Sequence, residues 1–138
     1  MYCDSSNAPE FKIGLSMKTD RELVEAAAKA AGLPDSIWWW VDNILCKAGD
    51  KRTPWSPLED DGDALRLVVT LDIGLRPDAY GARKEPGVYA NARIAGAEPG
   101  RQVIHIDVPH GNDKPAAVRR AIVLVAAAVW EEQQRIGA

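Results

Sequence analysis

His105, Asp107 and His110 are the one stretch of this chain where imidazole and carboxylate groups fall close together. In an extended strand, residues two apart share a face, so His105 and Asp107 could form an acid–base pair or begin a metal site. Two histidines and one aspartate leave a closed site a ligand short, and a polar cluster at a strand end is the simpler reading. A small hydrolase using His105 and Asp107 is therefore a weaker, third functional reading, ahead only of a structural or regulatory protein without a target. The second candidate is the acidic run Glu59, Asp60, Asp61 and Asp63. A calcium loop needs oxygen ligands at alternate positions and a distal bidentate glutamate. Here Gly62 comes too early and an apolar segment follows at once, so capping of a helix accounts for the carboxylates better than a metal does. Cys46 lies in an apolar context, and no serine sits in a Gly-x-Ser-x-Gly elbow. Phosphate-loop and dinucleotide fingerprints are absent as well. No catalytic residue, metal or cofactor is assigned.

Recognition is a better use of the side chains present. Five tryptophans are many for this length, and Trp38, Trp39 and Trp40 are consecutive. Alternation in a strand puts Trp38 and Trp40 on one side and Trp39 on the other, so at least one is buried. With Trp55 they offer the large, stiff contact area typical of binding hot spots. The expected partner surface joins Trp38, Trp39, Trp40 and Trp55 to Asp60 and Asp61. A second set, Arg83, Arg93, Arg101 and Arg119, could pair with the phosphates of a nucleotide whose base stacks on a tryptophan.

Those residues need elements to position them. Thr19-Asp20-Arg21-Glu22 reads as a capping box opening a helix to about Ala31, with Leu23, Ala27 and Ala30 on one face and Gly32 as its stop. Ser36 to Lys47 is expected to be extended, and Ala48 to Pro57 a polar loop. A helix follows from Ala64 to Leu71. Its face of Leu65, Val68, Val69 and Asp72, with Leu67 and Leu71 beside it, predicts a largely buried element that Gly74 terminates. Arg76-Pro77-Asp78 and Lys84-Glu85-Pro86-Gly87 are turn signals. Val88–Ile94 and Arg101–Val108 read as strands that pair antiparallel. Asn112 or Asp113 caps a last helix to about Arg135, with Pro115 in its first turn. Val118, Ala121, Ile122, Val125, Ala128 and Val129 form its apolar stripe, and Arg119 and Arg120 point away from it.

The expected fold class is thus α+β, a small antiparallel sheet of three to four strands packed with three helices. Residues 1–18 read as an N-terminal extension, an edge strand at Phe11–Leu15 or a flexible arm, and residues 19–138 as one domain. A length of 138 residues suits a single core. The 46% apolar and 27% charged composition is that of a globular protein, and a formal charge of −3 speaks against nucleic acid as a partner. Two cysteines, Cys3 and Cys46, are too few for a disulfide scaffold and read as reduced thiols in the cytoplasm. Neither a signal peptide nor a run long enough to span a membrane is expected.

The stretch Trp55-Ser56-Pro57-Leu58-Glu59-Asp60-Asp61-Gly62-Asp63-Ala64-Leu65-Arg66-Leu67 resembles a signature of small tailed-phage and prophage proteins grouped as the phage ABA sandwich domain. Lys114-Pro115-Ala116-Ala117-Val118-Arg119-Arg120-Ala121-Ile122-Val123 resembles their ending. With the helix near Asp20, the resemblance covers most of residues 17 to 135. It implies a helix–sheet–helix arrangement and a phage origin, within a bacterial cytoplasm, and carries no catalytic set. The N-terminal arm and the tryptophan segment depart from the pattern. The leading expectation is a non-enzymatic accessory protein that binds and inhibits a host protein, such as an antiviral-defence component in the manner of an anti-CRISPR. The alternative is an oligomeric sponge for a small nucleotide signal.

Overall fold

A computed structural model describes residues 18–33, 38–41, 44–47, 53–79, 85–94, 96–97 and 103–137. Phe11–Leu15, Arg83, Arg101 and Cys3 lie outside them. The described elements are α1 (Asp20–Ala30), β1 (Trp38–Val41), β2 (Ile44–Lys47), β3 (Thr53–Trp55), α2 (Asp61–Leu71), β4 (Gly74–Ala79), β5 (Gly87–Arg93), β6 (Val103–Pro109) and α3 (Lys114–Gly137). The α+β class with three helices is as expected. The strands form two antiparallel three-stranded sheets, in the orders β1-β2-β3 and β4-β5-β6.

α1 starts where the capping box places it. The Glu22 amide donates to the Thr19 hydroxyl at 3.2 Å, and the Thr19 amide donates to the Glu22 carboxylate at 3.0 Å. Its end is a Schellman motif. Gly32, at φ +83°, donates to the Lys29 carbonyl, and the Leu33 amide reaches back to that of Ala28, each at 3.0 Å. α3 begins at Asp113, whose side chain accepts the Ala116 amide at 3.1 Å. Over its 24 residues α3 buries Ala121, Ile122, Val125, Ala128 and Val129 of the expected stripe, and also Val123, Ala126, Ala127 and Glu132. A helix buried on several sides is a middle layer. α3 packs against β5 and β6 on one side and against α1 and α2 elsewhere.

Strands β5 and β6 alternate cleanly. Val88, Ala90, Ala92, Ile104 and Ile106 are buried, while Arg93, His105 and Asp107 are exposed on the outer face. Ala90 stands opposite Ile106 and Ala92 opposite Ile104, so small and large residues alternate beneath α3. Among the described residues α3 therefore lies between α1 and the β4-β5-β6 sheet, an order of helix, helix, sheet where a helix–sheet–helix sandwich was expected.

Four local expectations are corrected. Arg76-Pro77-Asp78 is not a turn but part of β4, an edge strand whose pairing with β5 shifts register between Arg76 and Ala79. The edge position and the irregularity are what tolerate a proline that cannot donate to a ladder. The loop expected at Ala48 to Pro57 contains β3, whose Trp55 is 3% exposed. α2 is not largely buried: it buries Asp63, Ala64 and Leu67, while Leu65 and Val69 face solvent. It ends at Asp72, which adopts the left-handed conformation at φ 54°, before Gly74. Gly74 has another role. A Cβ there would sit 2.9 Å from the Asn91 Oδ1, so the glycine lets the Asn91 amide lie across β4. One hydrophobic core joins α1, both sheets, α2 and α3, and takes in Leu23, Leu45, Trp55, Leu67, Val88 and Val125.

Candidate functional site

The tryptophan segment is extended, as expected, and forms the β1–β2 hairpin. Trp40 stands opposite Leu45, and Leu45 opposite Trp55, so the three make one row across β1, β2 and β3. Leu45 and Trp55 are buried, whereas Trp40 is half-buried. Trp38 and Trp39 belong to β1, and their side chains lie outside the described set.

α1 lies along the Trp40 end of that row. Arg21 and Glu25, four apart and so on one helical face, both reach Trp40. The Arg21 guanidinium carbon is 4.5 Å from the indole centroid, and the indole N–H donates to the Glu25 carboxylate. Arg21 Nε stands 3.7 Å from the same carboxylate oxygen. A cation over an indole face is worth about 0.5–2 kcal/mol, and the hydrogen bond from the ring edge fixes the ring's orientation. Beside this trio opens a cleft of about 710 Å³, walled by Asp20, Arg21 and Val24 of α1 and by Leu45, Pro54 and Trp55 of the sheet. Glu59 stands on its rim. Its lining is mainly apolar. Volume and character are those of a pocket that seats an apolar side chain or a small segment.

The acidic run does structural work. Asp60 caps α2, accepting the Asp63 amide at 2.8 Å. Asp63 is buried and accepts from the Ser56 amide and from Arg66, each at 2.9 Å. Asp61 pairs with Arg119 at 2.7 Å, and Arg119 also donates through Nε to the Leu58 carbonyl at 2.9 Å. Arg119, expected to point away from the apolar stripe, is instead half-buried as a strut between α3 and the loop before α2, lining a groove with Val118 and Ile122 of that stripe. Asp60 and Asp61 thus border the far side of that loop instead of joining the tryptophans in the cleft, where Glu59 takes the acidic place. Arg120 makes the matching tie to Asp20 of α1 at 3.0 Å.

The nucleotide set is not brought together within the described residues. Arg93 lies on the outer sheet face, and Arg119 is engaged on the helical side. His105 and Asp107 do share the outer face. The His105 Nδ1, however, pairs with the Tyr89 hydroxyl, and His110 turns to β4, where its Nε2 donates to the Pro77 carbonyl at 2.5 Å. Asp78 sits 3.5 Å from that imidazole and 2.7 Å from Lys114. The Lys114 hydrogen bond, with smaller attractions from Lys114 and His110, holds the Asp78 carboxyl below the usual aspartate range. Among the described residues no group of three or more His, Cys, Asp or Glu side chains could hold a metal ion, and no helix is long and apolar enough to cross a membrane.

Arg21, which walls the cleft, and Glu25, which holds the Trp40 ring edge beside it, escaped the sequence reading. Their i, i+4 spacing marks a shared helix face, but nothing local ties that face to a tryptophan fifteen residues away. No family model, curated protein or solved structure matches the chain.

Proposed function

We propose that this chain is a non-enzymatic binding protein that seats part of a partner protein in the cleft between α1 and the β1-β2-β3 sheet. We propose further that it is a phage or prophage accessory protein whose target is a host factor of antiviral defence, bound and inhibited in the bacterial cytoplasm. The observation that carries the binding reading is the Trp40 anchor. A half-buried indole is held by Arg21 on its face and Glu25 at its edge, beside an open apolar cleft. A side chain fixed before the partner arrives loses little entropy on binding, which is the general advantage of preorganised aromatic and arginine hot spots. The complementary partner surface presents an apolar residue for the cleft, flanked by a base to meet Glu59. The phage setting rests on the resemblance of residues 55–67 and 114–123 to the ABA sandwich signature.

The test is affinity capture from bacterial lysate with the tagged chain, alongside a Trp40→Ala variant. The native chain is expected to retain a specific protein with micromolar or tighter affinity, and the variant to lose it by on the order of tenfold or more. Absence of any specific partner counts against the binding reading. A partner held equally by both chains places the interface away from the cleft.

A further inference from the structure

The two edges of the β4-β5-β6 sheet are built differently. β4 guards its edge: Pro77 has no N–H to offer a further strand, and the register with β5 shifts between Arg76 and Ala79. No such device interrupts β6. Its residues pair with β5 in unbroken register, from Val103 opposite Arg93 to Pro109 opposite Gly87, and its proline is the last residue of the strand. Among the described residues the other side of β6 bears no strand. A regular edge of this kind presents a row of backbone N–H and C=O groups and is a template for a further strand.

The side chains of β6 select the strand that fits. Ile104 and Ile106 are buried and Val108 is half-buried, while Val103, His105, Asp107 and Pro109 are exposed on the outer face. A two-fold axis normal to the sheet through Ile106, the midpoint of β6, lays a second β6 antiparallel to the first. On the outer face His105 then stands opposite the partner's Asp107, Asp107 opposite the partner's His105, and Val103 opposite the partner's Pro109. On the inner face Ile104 meets the partner's Val108, and Ile106 meets its own copy. Each pair is apolar with apolar or imidazole with carboxylate, the combinations that stabilise cross-strand neighbours. Moving the axis one residue either way sets His105 on the partner's His105, or Asp107 on the partner's Asp107. The register that pairs the whole strand is therefore also the one that matches its charges. Tyr89 prepares the imidazole: a hydroxyl donating to Nδ1 keeps the ring proton on Nε2, ready for the partner's carboxylate. A carboxylate accepts about four hydrogen bonds, so Asp107 takes this donor beside the contacts it already has. Self-complementarity under a two-fold rotation is what an isologous dimer requires.

We propose that the protein forms a homodimer through β6, joining the two β4-β5-β6 sheets into one continuous antiparallel sheet with both α3 helices on the same face. The inference is independent of the cleft and is tested on the purified full chain alone. Sedimentation velocity and light scattering are expected to show twice the chain mass at roughly 100 μM. His105→Asp sets carboxylate against carboxylate at both symmetric positions and is expected to weaken association by on the order of tenfold. His105→Asp/Asp107→Lys restores opposite charges in that register and is expected to recover the dimer, although the Tyr89 contact is lost in both variants. Circular dichroism checks that each is folded. Hydrogen exchange followed by NMR on the native chain needs no substitution and carries the test if a variant does not fold. Alternate amides of β6, those not bonded to β5, are expected to exchange more slowly as concentration is raised. A native chain that is monomeric throughout, a dimer whose β6 amides exchange at the same rate at every concentration, or a folded double variant that stays monomeric each overturns the proposal.

Discussion

At the scale of single residues, the carboxylates of this protein act as fasteners. Asp63 satisfies the Ser56 amide in a buried setting, where an unpaired donor costs about 1–3 kcal/mol. Glu22 is held below the usual glutamate range, first by the Thr19 amide, then by the Thr19 hydroxyl, with Lys18 adding a smaller attraction. Asp78 is lowered likewise, chiefly by Lys114, and so ties β4 to the start of α3. The sign of its pH effect follows. A carboxyl with a depressed folded-state pKa contributes stability that is present above its unfolded value and is lost as pH falls through the folded one. Stability measured against pH is therefore expected to show native chain and Asp78→Asn converging in acid and separating above the ordinary aspartate range. In an NMR titration, Lys114→Met should move the Asp78 midpoint upward toward that range. An unmoved midpoint would show that the contact does not form in solution.

At the scale of elements, α2 separates what the hydrophobic pattern can say from what packing decides. Ala64, Leu65, Leu67, Val68, Val69 and Leu71 place apolar groups around most of the helix, so period alone gives no inward direction. The direction comes from outside it: Asp60 and Asp63 fix its start, Arg119 locks the preceding loop to α3, and Leu67 is left facing the core. Leu67→Ala is accordingly expected to cost about 2–5 kcal/mol in urea denaturation, as for a fully buried leucine. Val69→Ala should stay within about 0.5 kcal/mol, as for a solvent-facing side chain. Reversed magnitudes would restore the face read from the sequence. The helices with strong caps, α1 and α3, and the alternating strands β5 and β6 were legible because their signals are local. β3 and β4 were not, since each contains a proline whose tolerance depends on its place in a sheet. The same divide runs through the cleft. The tryptophans announce themselves by type, whereas Arg21 and Glu25 gain their role only when α1 is laid beside β1.

For the molecule as a whole, α3 is the element on which the others converge, and its composition explains how. Ala121, Ala126, Ala127 and Ala128 are fully buried, so neighbours approach the helix backbone closely on more than one side. Close approach leaves no room for added volume, and inserting methylenes into such a site costs about 1–3 kcal/mol. Leu45 and Trp55 share this core with Leu23 and Val24, which makes the β1-β2-β3 sheet and its cleft dependent on α1 and, through α1, on α3. A chain of dependence of that kind implies a single cooperative unit. It can be checked with two probes in a Trp130→Phe background, where the remaining tryptophans, Trp38, Trp39, Trp40 and Trp55, all report from the β1-β2-β3 sheet. Far-UV circular dichroism follows the helices, and fluorescence follows the sheet. The two unfolding curves are expected to coincide, and Ala127→Leu to lower both midpoints together. Separate transitions, with fluorescence unmoved by Ala127→Leu, would mean that the sheet stands without α3. The Trp40 anchor would then be held by the β1–β2 hairpin instead of by the position of α1.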